Sequence, residues 1–466
     1  MEWRCLTFSL VLLASAGCSK KKAPEAKDPT EAAGPETAAL VDKIVGEYQE
    51  AGHAIRLPLE VRSARSNVVQ AHFDAQQGIL FSKNYFESRF ALFAVLGMQN
   101  YGTPDALRMF SMLGLSKAII AYYDWNTHRL VLTRSELSAL ADQEGTLMHE
   151  VAHAIQGTRF DFSTLLRENR STTEGRNIFL CVSEGEAEAL ALSLHFARQG
   201  KTLDDANAAE LSAGLGRVMS GEAAQAYSFG RSFAVMRYQQ GGWPAVVEQL
   251  KTFPLSSEQI IHPEKWKMDS PSVVVTPVDL LDTTGAQLIY SDVIGELGIS
   301  VLLNSMSIST DEAYVASTGW DGDQLQVYTK GDGYGISWLS QWDRNLDAYQ
   351  FAELMRKHST FNVWHDASHP RRVLLSSGLL LRSTDRRELG APVPEMAGDA
   401  ASTAAIELAW RARDTTAPRA EGGRWVHPRV GLSVDVPTGW VAGEVRGLDV
   451  LVAPEVEGFS DNMTLI

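Results

Sequence analysis

The segment His149-Glu150-Val151-Ala152-His153 combines two imidazoles and a carboxylate at a spacing that can bind and use a metal ion. In an α-helix, residues four apart lie one turn above each other, so His149 and His153 can ligate one Zn²⁺ ion from the same face. Glu150 lies at the edge of that face, where its carboxylate can take a proton from a metal-bound water. The spacing therefore predicts a zinc-dependent hydrolytic site. The alternative is a helix with two core histidines and no metal.

A second charged pattern lies farther along, in a helical segment that contains Glu184 and Glu188. These two acids are four residues apart among apolar neighbours, so their carboxylates should share one buried face. Burying two like charges together is costly unless something compensates them. A divalent metal that takes one carboxylate, and a ligating histidine that donates to the other, would remove that cost. Glu186, between them, is expected to be a solvated charge.

Together the two segments resemble the gluzincin metallopeptidases, in which a helix with the HExxH motif precedes a second helix that carries a third ligand, Glu. The resemblance implies that His149, His153 and Glu184 are the metal ligands. It also implies that Glu150 is the general base and that Glu188 steers a histidine ring. The expected fold is α+β and predominantly helical, with a zincin-like metallopeptidase domain and a small β-hairpin or sheet. The expected substrate is a peptide or protein.

Peptide hydrolysis also needs a donor to the oxyanion of the tetrahedral intermediate. Gluzincins supply this donor from a Tyr or His of a later helix or loop. The resemblance therefore makes Tyr227, at the start of a helical segment, and His262, before a proline, the candidate donors. The structural alternatives are packing of Tyr227 at a helix start and capping of a turn by His262.

The chain is also similar to a family of largely uncharacterised bacterial metallopeptidase lipoproteins, over about residues 40–360. The motifs that carry this similarity are Ala121–Asp124, His153–Gln156, Tyr227–Gly230, Gly241–Trp243, Ser257–Pro263 and Gly319–Asp323. We interpret the last of these as a tight turn with two exposed acids, because it lacks the further oxygens that a calcium loop requires. The family has no firm substrate, so this similarity supports the metal site more than a particular reaction.

The N-terminus has the pattern of a bacterial export signal. The apolar stretch Leu6–Ala16 is too short to span a bilayer, and it ends in Ser15-Ala16-Gly17-Cys18, which resembles the lipoprotein box. We therefore predict a lipoprotein signal peptide at 1–18 with Cys18 lipidated, followed by a disordered tether at 19–40. The alternative is an ordinary cleaved signal whose cysteine is incidental.

This pattern predicts a protein of the bacterial cell envelope, extracytoplasmic and held to the membrane by its lipid. Ser19 after Cys18 favours the outer membrane by enterobacterial sorting habits. The chain has 57 acidic and 42 basic residues among 466, and its net charge of -15 argues against nucleic acid as a partner. After processing, Cys181 is the remaining thiol, so no intramolecular disulfide can form.

The elements that must position these residues are mostly helical. We expect a hairpin from Ala118–Tyr123 and Arg129–Thr133, and strands at Gln324–Thr329 and Tyr334–Trp338. The expected helices are Gln143–Gly157, Glu174–Gln199, Tyr227–Gln240, Trp243–Lys251, Ile289–Met306 and Asn345–Lys357.

The predicted domain organisation has three parts after the tether. They are a zincin-like metallopeptidase domain at 41–385, a linker at 386–424 and a small β-rich C-terminal segment at 425–466. Two other functions remain possible on the sequence alone. The metal could stabilise a non-catalytic binding or scaffolding lipoprotein, or the chain could be an interaction module without a metal.

Overall fold

The computed structural model describes residues 29–96, 98, 102–133, 140–169, 171–206, 221–267, 286–330, 333–365 and 370–377, with short strands at 381–382, 419–421, 424–427, 432–435, 441–445, 448–452 and 462–465. These residues form a mixed α+β fold, in agreement with the expected class. The signal peptide predicted at 1–18 and the linker predicted at 386–424, apart from residues 419–421 and 424, lie outside them. No helix in these ranges is long and apolar enough to cross a membrane.

In chain order, the helices are α1 (Pro35–Glu50), α2 (Ser66–Leu80), α3 (Tyr85–Val95), α4 (Pro104–Ala118), α5 (Leu140–Gln156), α6 (Phe162–Asn169), α7 (Thr173–Ala197), α8 (Gly221–Lys251), α9 (Glu258–Ile261), α10 (Pro263–Lys267), α11 (Gly295–Ser305), α12 (Thr310–Ser317) and α13 (Asn345–His358). The strands are β1 (Glu31–Ala32), β2 (Glu60–Ala64), β3 (Ala121–Asp124), β4 (Arg129–Thr133), β5 (Gln287–Asp292), β6 (Trp320–Lys330), β7 (Gly333–Trp342), β8 (Asn362–Trp364), β9 (Arg372–Ser376), β10 (Leu381–Arg382), β11 (Arg419–Glu421), β12 (Arg424–His427), β13 (Leu432–Asp435), β14 (Val441–Val445), β15 (Leu448–Val452) and β16 (Asn462–Leu465).

The chain divides into two compact units. The first unit comprises Met1–Lys83 and Leu107–Ser270, and the second comprises Asn84–Ala106 and Pro271–Ile466. The stretch 41–385, which the sequence predicts as one domain, therefore contributes to both units.

Most predicted elements around the site are confirmed. The hairpin is β3–β4, with antiparallel pairing from Ala121–Leu132 to Asp124–Arg129. The first two predicted helices correspond to α5 and α7, and the next two are joined in α8. Gly241 and Gly242 have non-helical backbone angles and kink α8 at the point where the sequence separates its two segments.

In the first unit, a sheet of order β1-β2-β4-β3 supports the helix that carries the HExxH motif. β2 and β4 are parallel, and the other neighbours are antiparallel. Leu147, Val151 and Ile155 recur every four residues on α5 and are buried against residues of α1, β4 and α7. This stripe fixes the rotation of α5, so His149 and His153 face α7.

The tether predicted at 19–40 is wrong over its C-terminal part. Residues 31–32 pair with β2, and α1 begins at Pro35. Proline at the first helical position is pre-organised for the helix, and Val41 of the same helix is buried in the core. The Arg62 guanidinium also donates to the backbone and side-chain oxygens of Thr30. Local composition predicts disorder here, but these long-range contacts oppose it.

The helices α7 and α8 cross with their backbones in direct contact. A Cβ atom placed on Gly185 would lie 2.2 Å from the carbonyl carbon of Gly230. A Cβ atom on Gly230 would lie 2.0 Å from the backbone oxygen of Cys181. Only glycine allows this approach, which positions Tyr227 and Arg231 of α8 beside the acidic segment of α7.

The second unit contains an antiparallel sheet of order β5-β6-β7-β9-β8, with β10 paired to β7. The single helix predicted at Ile289–Met306 is wrong in its first part. Its N-terminal residues form β5, and α11 begins at Gly295, which has a φ of 78°. Pairing with β6 places the first four residues of the predicted helix, Ile289–Asp292, in the edge strand β5.

The prediction for Gly319–Asp323 is also wrong: Asp321 and Asp323 are both 2 % exposed, at the start of β6. The carboxylate of Asp323 accepts from the indole nitrogens of Trp320 (2.9 Å) and Trp338 (2.8 Å). It also accepts from two backbone N–H groups at the start of α11. Burial raises the pKa of Asp323 to about 6, although these donors act against the rise. Trp338 and the two backbone donors, which are distant in sequence, help to make the buried acid possible.

The described residues of the segment predicted as β-rich at 425–466 form strands. β12 and β13 make an antiparallel sheet with β11, which lies in the stretch predicted as a linker, and β14, β15 and β16 form a second antiparallel sheet.

We predict that Gly230→Ala destabilises the protein by about 3 kcal/mol, because the added methyl group must push two helix backbones apart. The matched control is Gly46→Ala in α1, where a Cβ atom would meet nothing within 4 Å. That change should be neutral or stabilise by up to about 1 kcal/mol, because alanine favours the helix. Urea unfolding of both variants makes the comparison. Equal stability of Gly230→Ala and the unchanged protein would contradict the close crossing.

Candidate metal centre

Three side chains from α5 and α7 converge on one point. The Nε2 atom of His149 lies 3.0 Å from Oε2 of Glu184 and 3.0 Å from Nε2 of His153. The Nε2 atom of His153 lies 3.5 Å from the same carboxylate oxygen. One donor atom from each residue falls within 4.8 Å of the others. Zinc ligands bonded at about 2.1 Å in a tetrahedron are separated by about 3.4 Å, so these donors have the spacing of a metal site.

The three residues are almost completely buried, and their charges depend on one another. Burial favours the neutral ring of His153, but the carboxylate of Glu184 raises the pKa of His153 to about 9. Burial also favours neutral Glu184, but the two imidazoles lower the pKa of Glu184 to about 2. Without a metal, the pair is therefore ionised near neutral pH. A zinc ion would have to displace a proton from His153.

One oxygen of Glu184 has no partner among the described residues. No hydrogen-bond donor in this part of the chain reaches its Oε1 atom, although the residue is 0 % exposed. A buried carboxylate oxygen without a donor is costly, and a divalent cation beside it would remove that cost. The chemistry of the donor set, two imidazoles and a carboxylate, therefore fits Zn²⁺.

His149 is supported by a carboxylate on its outer side. Its Nδ1 atom lies 2.9 Å from Oε1 of Glu188, and Arg231 donates to Oε2 of Glu188 at 3.1 Å. Tyr227 stacks on the other side of the imidazole, with ring centroids 5.5 Å apart and planes 14° apart. These contacts place Glu188 and Tyr227 beside the ligand group, where the sequence expected them.

His153 is supported differently. Its Nδ1 atom lies 2.7 Å from Oε1 of Gln156, whose amide nitrogen donates to the backbone oxygen of Ser183 (2.8 Å) and to Glu186 (3.0 Å). Arg159 donates to the other oxygen of Glu186 at 2.7 Å. The prediction of a solvated Glu186 is therefore wrong, because this residue is 0 % exposed. Burial raises the pKa of Glu186, and Arg159 opposes the rise.

An aromatic wall covers the edge of the His153 ring. Trp125, from the turn between β3 and β4, contacts His153 edge-on and stacks on Phe162 with centroids 4.1 Å apart. A Cβ atom on Gly157 would lie 2.9 Å from the Trp125 ring. Glycine at this position, directly after α5, therefore leaves room for the indole.

The remaining predicted residues lie in different surroundings. Glu150 is 7 % exposed on α5, and its charge contributes to the raised pKa of His153. His262 directly follows α9, with its Nδ1 atom 3.9 Å from Oε1 of Glu264. The roles of Tyr227 and His262 as oxyanion donors stay predictions.

Apart from Glu188, sequence reasoning missed the residues that support the candidate ligands from outside. Gln156 follows His153 by three residues and therefore shares its helix face, which is a signal that spacing could have revealed. Arg159 lies beyond the end of α5, and no pattern links it to Glu186. The contact between Gly185 and Gly230 joins two helices, so neither glycine has a local signature.

Comparison with known proteins bears on the second unit. Residues 286–377 match a domain of unknown function, DUF8575. The matched segment spans β5 to β9 and contains none of the metal-centre residues. No match was found among curated proteins or among solved structures.

We predict close to one zinc per chain, with a sharp loss of metal in Glu184→Gln, because the neutral amide removes the anionic ligand. The matched control is Glu174→Gln, a buried acid at the N-terminal end of α7 whose carboxylate accepts hydrogen bonds from Ser257. Metal analysis after dialysis should find zinc in the control and little in Glu184→Gln. Full zinc content in Glu184→Gln would assign the third ligand elsewhere, with Glu188 next in line.

Proposed function

We propose that this protein is a zinc-dependent peptidase of the gluzincin type, with a zincin-like fold around the metal centre. The observation that carries the proposal is the convergence of His149, His153 and Glu184 on one point, where no described residue donates to the buried Oε1 atom of Glu184. The imidazoles compensate the Oε2 atom of Glu184, but the cost of burying the Oε1 atom is not met by any described donor, and a bound cation would lower it. The substrate class is a peptide or protein.

In this proposal, each residue has a separate task in hydrolysis. Zinc, when bound, would polarise the scissile carbonyl and acidify the attacking water. Glu150 takes the proton of the attacking water and delivers it to the leaving amine. Of the two candidate donors to the oxyanion, we assign Tyr227, because its ring stacks on His149. Glu188, held by Arg231, fixes the orientation of the His149 ring.

Three protein ligands leave a fourth position on a tetrahedral zinc ion for water or substrate, as in catalytic sites. Among the described residues, the grouped donors are these three. The burial of all three favours a second candidate, in which the metal has a structural role in a non-catalytic lipoprotein. The two candidates differ in whether Glu150 has a chemical task.

The test is Glu150→Gln, which keeps the size of the side chain and removes the base. Zinc content and folding should persist, while the rate of cleavage of an unstructured, fluorescently labelled protein should fall at least ~10²-fold. Glu144→Gln is the matched control on the same helix, because Glu144 pairs with Lys43 and Arg198 away from the ligands. The control should keep both zinc and activity.

Metal content and turnover must be measured on the same preparation. Undiminished turnover in Glu150→Gln with zinc retained would refute its role as the base. A zinc-loaded, folded wild-type protein without activity on unstructured protein substrates would favour the structural role of the metal.

We also propose that the protein is extracytoplasmic and tethered to a bacterial membrane through a lipid on Cys18. The support is the sequence Ser15–Cys18 after a short apolar stretch. Cys18→Ala should leave an unprocessed precursor or release the protein into the soluble fraction. Cys5→Ala, inside the predicted signal, is the matched control and should be processed normally. Unchanged mass and membrane association in Cys18→Ala, measured by mass spectrometry and fractionation, would refute the tether.

A further inference from the structure

The amide of Gln156 can point in only one direction. Its Nε2 atom faces the backbone oxygen of Ser183 at 2.8 Å, and a carbonyl oxygen accepts hydrogen bonds but cannot donate them. The same nitrogen faces Oε2 of Glu186 at 3.0 Å. The amide oxygen is therefore turned toward Nδ1 of His153, 2.7 Å away.

This orientation selects the tautomer of His153. Because Oε1 of Gln156 can only accept, Nδ1 of His153 must carry the hydrogen of this contact. The lone pair of a neutral His153 ring is then on Nε2, the atom that faces His149 and Glu184. Gln156 thus presents the correct nitrogen of His153 to the metal position.

The two histidines differ in the charge behind them. His149 faces the carboxylate of Glu188 directly, at 2.9 Å. Behind His153, the carboxylate of Glu186 is one side chain farther away, because the neutral amide of Gln156 lies between them. In both arrangements an arginine donates to the carboxylate, Arg231 to Glu188 and Arg159 to Glu186. Only in the second does a neutral side chain lie between the histidine and the carboxylate: the amide oxygen of Gln156 accepts from His153, and its amide nitrogen donates to Glu186.

We propose that Gln156 is a positioning residue of the metal centre, which fixes the tautomer and orientation of His153 and keeps the charge of Glu186 away from the ring. The inference rests on the proposed function, because it assumes that His153 binds zinc. It assigns to Gln156 a role in metal affinity beyond the packing of α5 against α7.

The test compares Gln156→Met with Gln249→Met in the purified full chain. Gln249 is a second buried glutamine, on α8, and its amide has no hydrogen-bond partner among the described residues. Gln156→Met should still bind one zinc, with an affinity lower by about 10- to 100-fold in competition with a chromogenic chelator. Gln249→Met should bind zinc as tightly as the unchanged protein.

Cobalt substitution supplies a readout that loss of packing alone would not change. The visible absorption of Co²⁺ depends on the geometry and donor strength of its ligands, so a reoriented His153 should shift the bands in Gln156→Met. The spectrum of Gln249→Met should match that of the unchanged protein. An unchanged spectrum and unchanged zinc affinity in Gln156→Met would overturn the proposal.

A charge exchange keeps the proposal testable if Gln156→Met does not fold. Gln156→Glu alone places two carboxylates at a separation of 3.0 Å, the present distance between Gln156 and Glu186, and should abolish tight zinc binding. The double variant Q156E/E186Q restores an acceptor toward His153 and a neutral partner behind it. It should bind zinc at least tenfold more tightly than Q156E. A double variant that binds no better than Q156E overturns the proposal.

The experiments distinguish failure of the metal centre from failure of the positioning role of Gln156. An unchanged protein that binds neither zinc nor cobalt refutes the metal centre itself, and the role of Gln156 falls with it. An unchanged protein that binds zinc while Gln156→Met binds equally well refutes only the positioning role.

Discussion

The burial of three carboxylates on one helix constrains the whole first unit. Glu184, Glu186 and Glu188 are each 3 % exposed or less. Glu184 and Glu188 share one face of α7 and both contact His149, whereas Glu186 lies on another side of the helix and contacts Arg159. Each buried charge needs a compensating partner. The imidazoles of α5 face the first, Arg159 after α5 faces the second, and Arg231 of α8 faces the third. The helices around α7 are placed by this requirement as well as by apolar packing.

The glycine contact between α7 and α8 follows from the same requirement. Gly185 lies between the buried acids, and Gly230 directly precedes Arg231 in the sequence. A larger residue at either glycine would move α8 outward, and the guanidinium could no longer reach Glu188 at 3.1 Å. Loss of that contact would leave the carboxylate behind His149 without its cation. Backbone proximity in this region is thus a condition for the electrostatics of the site.

The sequence predicts the parts of this site that depend on local periodicity. The spacing of His149 and His153 is fixed by one helix, and their convergence with Glu184 required only that two helices meet. Local patterns favour solvent for Glu186, because its partner Arg159 is distant in sequence and follows no helical spacing. The same holds for Asp323, since three of its donors, the Trp338 indole and two backbone N–H groups at the start of α11, come from other elements. A single sequence does not show which charged residues tertiary contacts will bury.

The two units compensate the cost of a buried carboxylate in different ways. Both oxygens of Asp323 in the second unit accept hydrogen bonds from neutral donors, including the indoles of Trp320 and Trp338. A carboxylate saturated in this way needs no cation, and it has no free position for a ligand. Glu184 is equally buried, but no described residue donates to its Oε1 atom, and the partners of its Oε2 atom are imidazoles that can themselves bind metal. Saturation by hydrogen bonds therefore distinguishes Asp323, which has no position for a ligand, from Glu184, which could accept a metal ion.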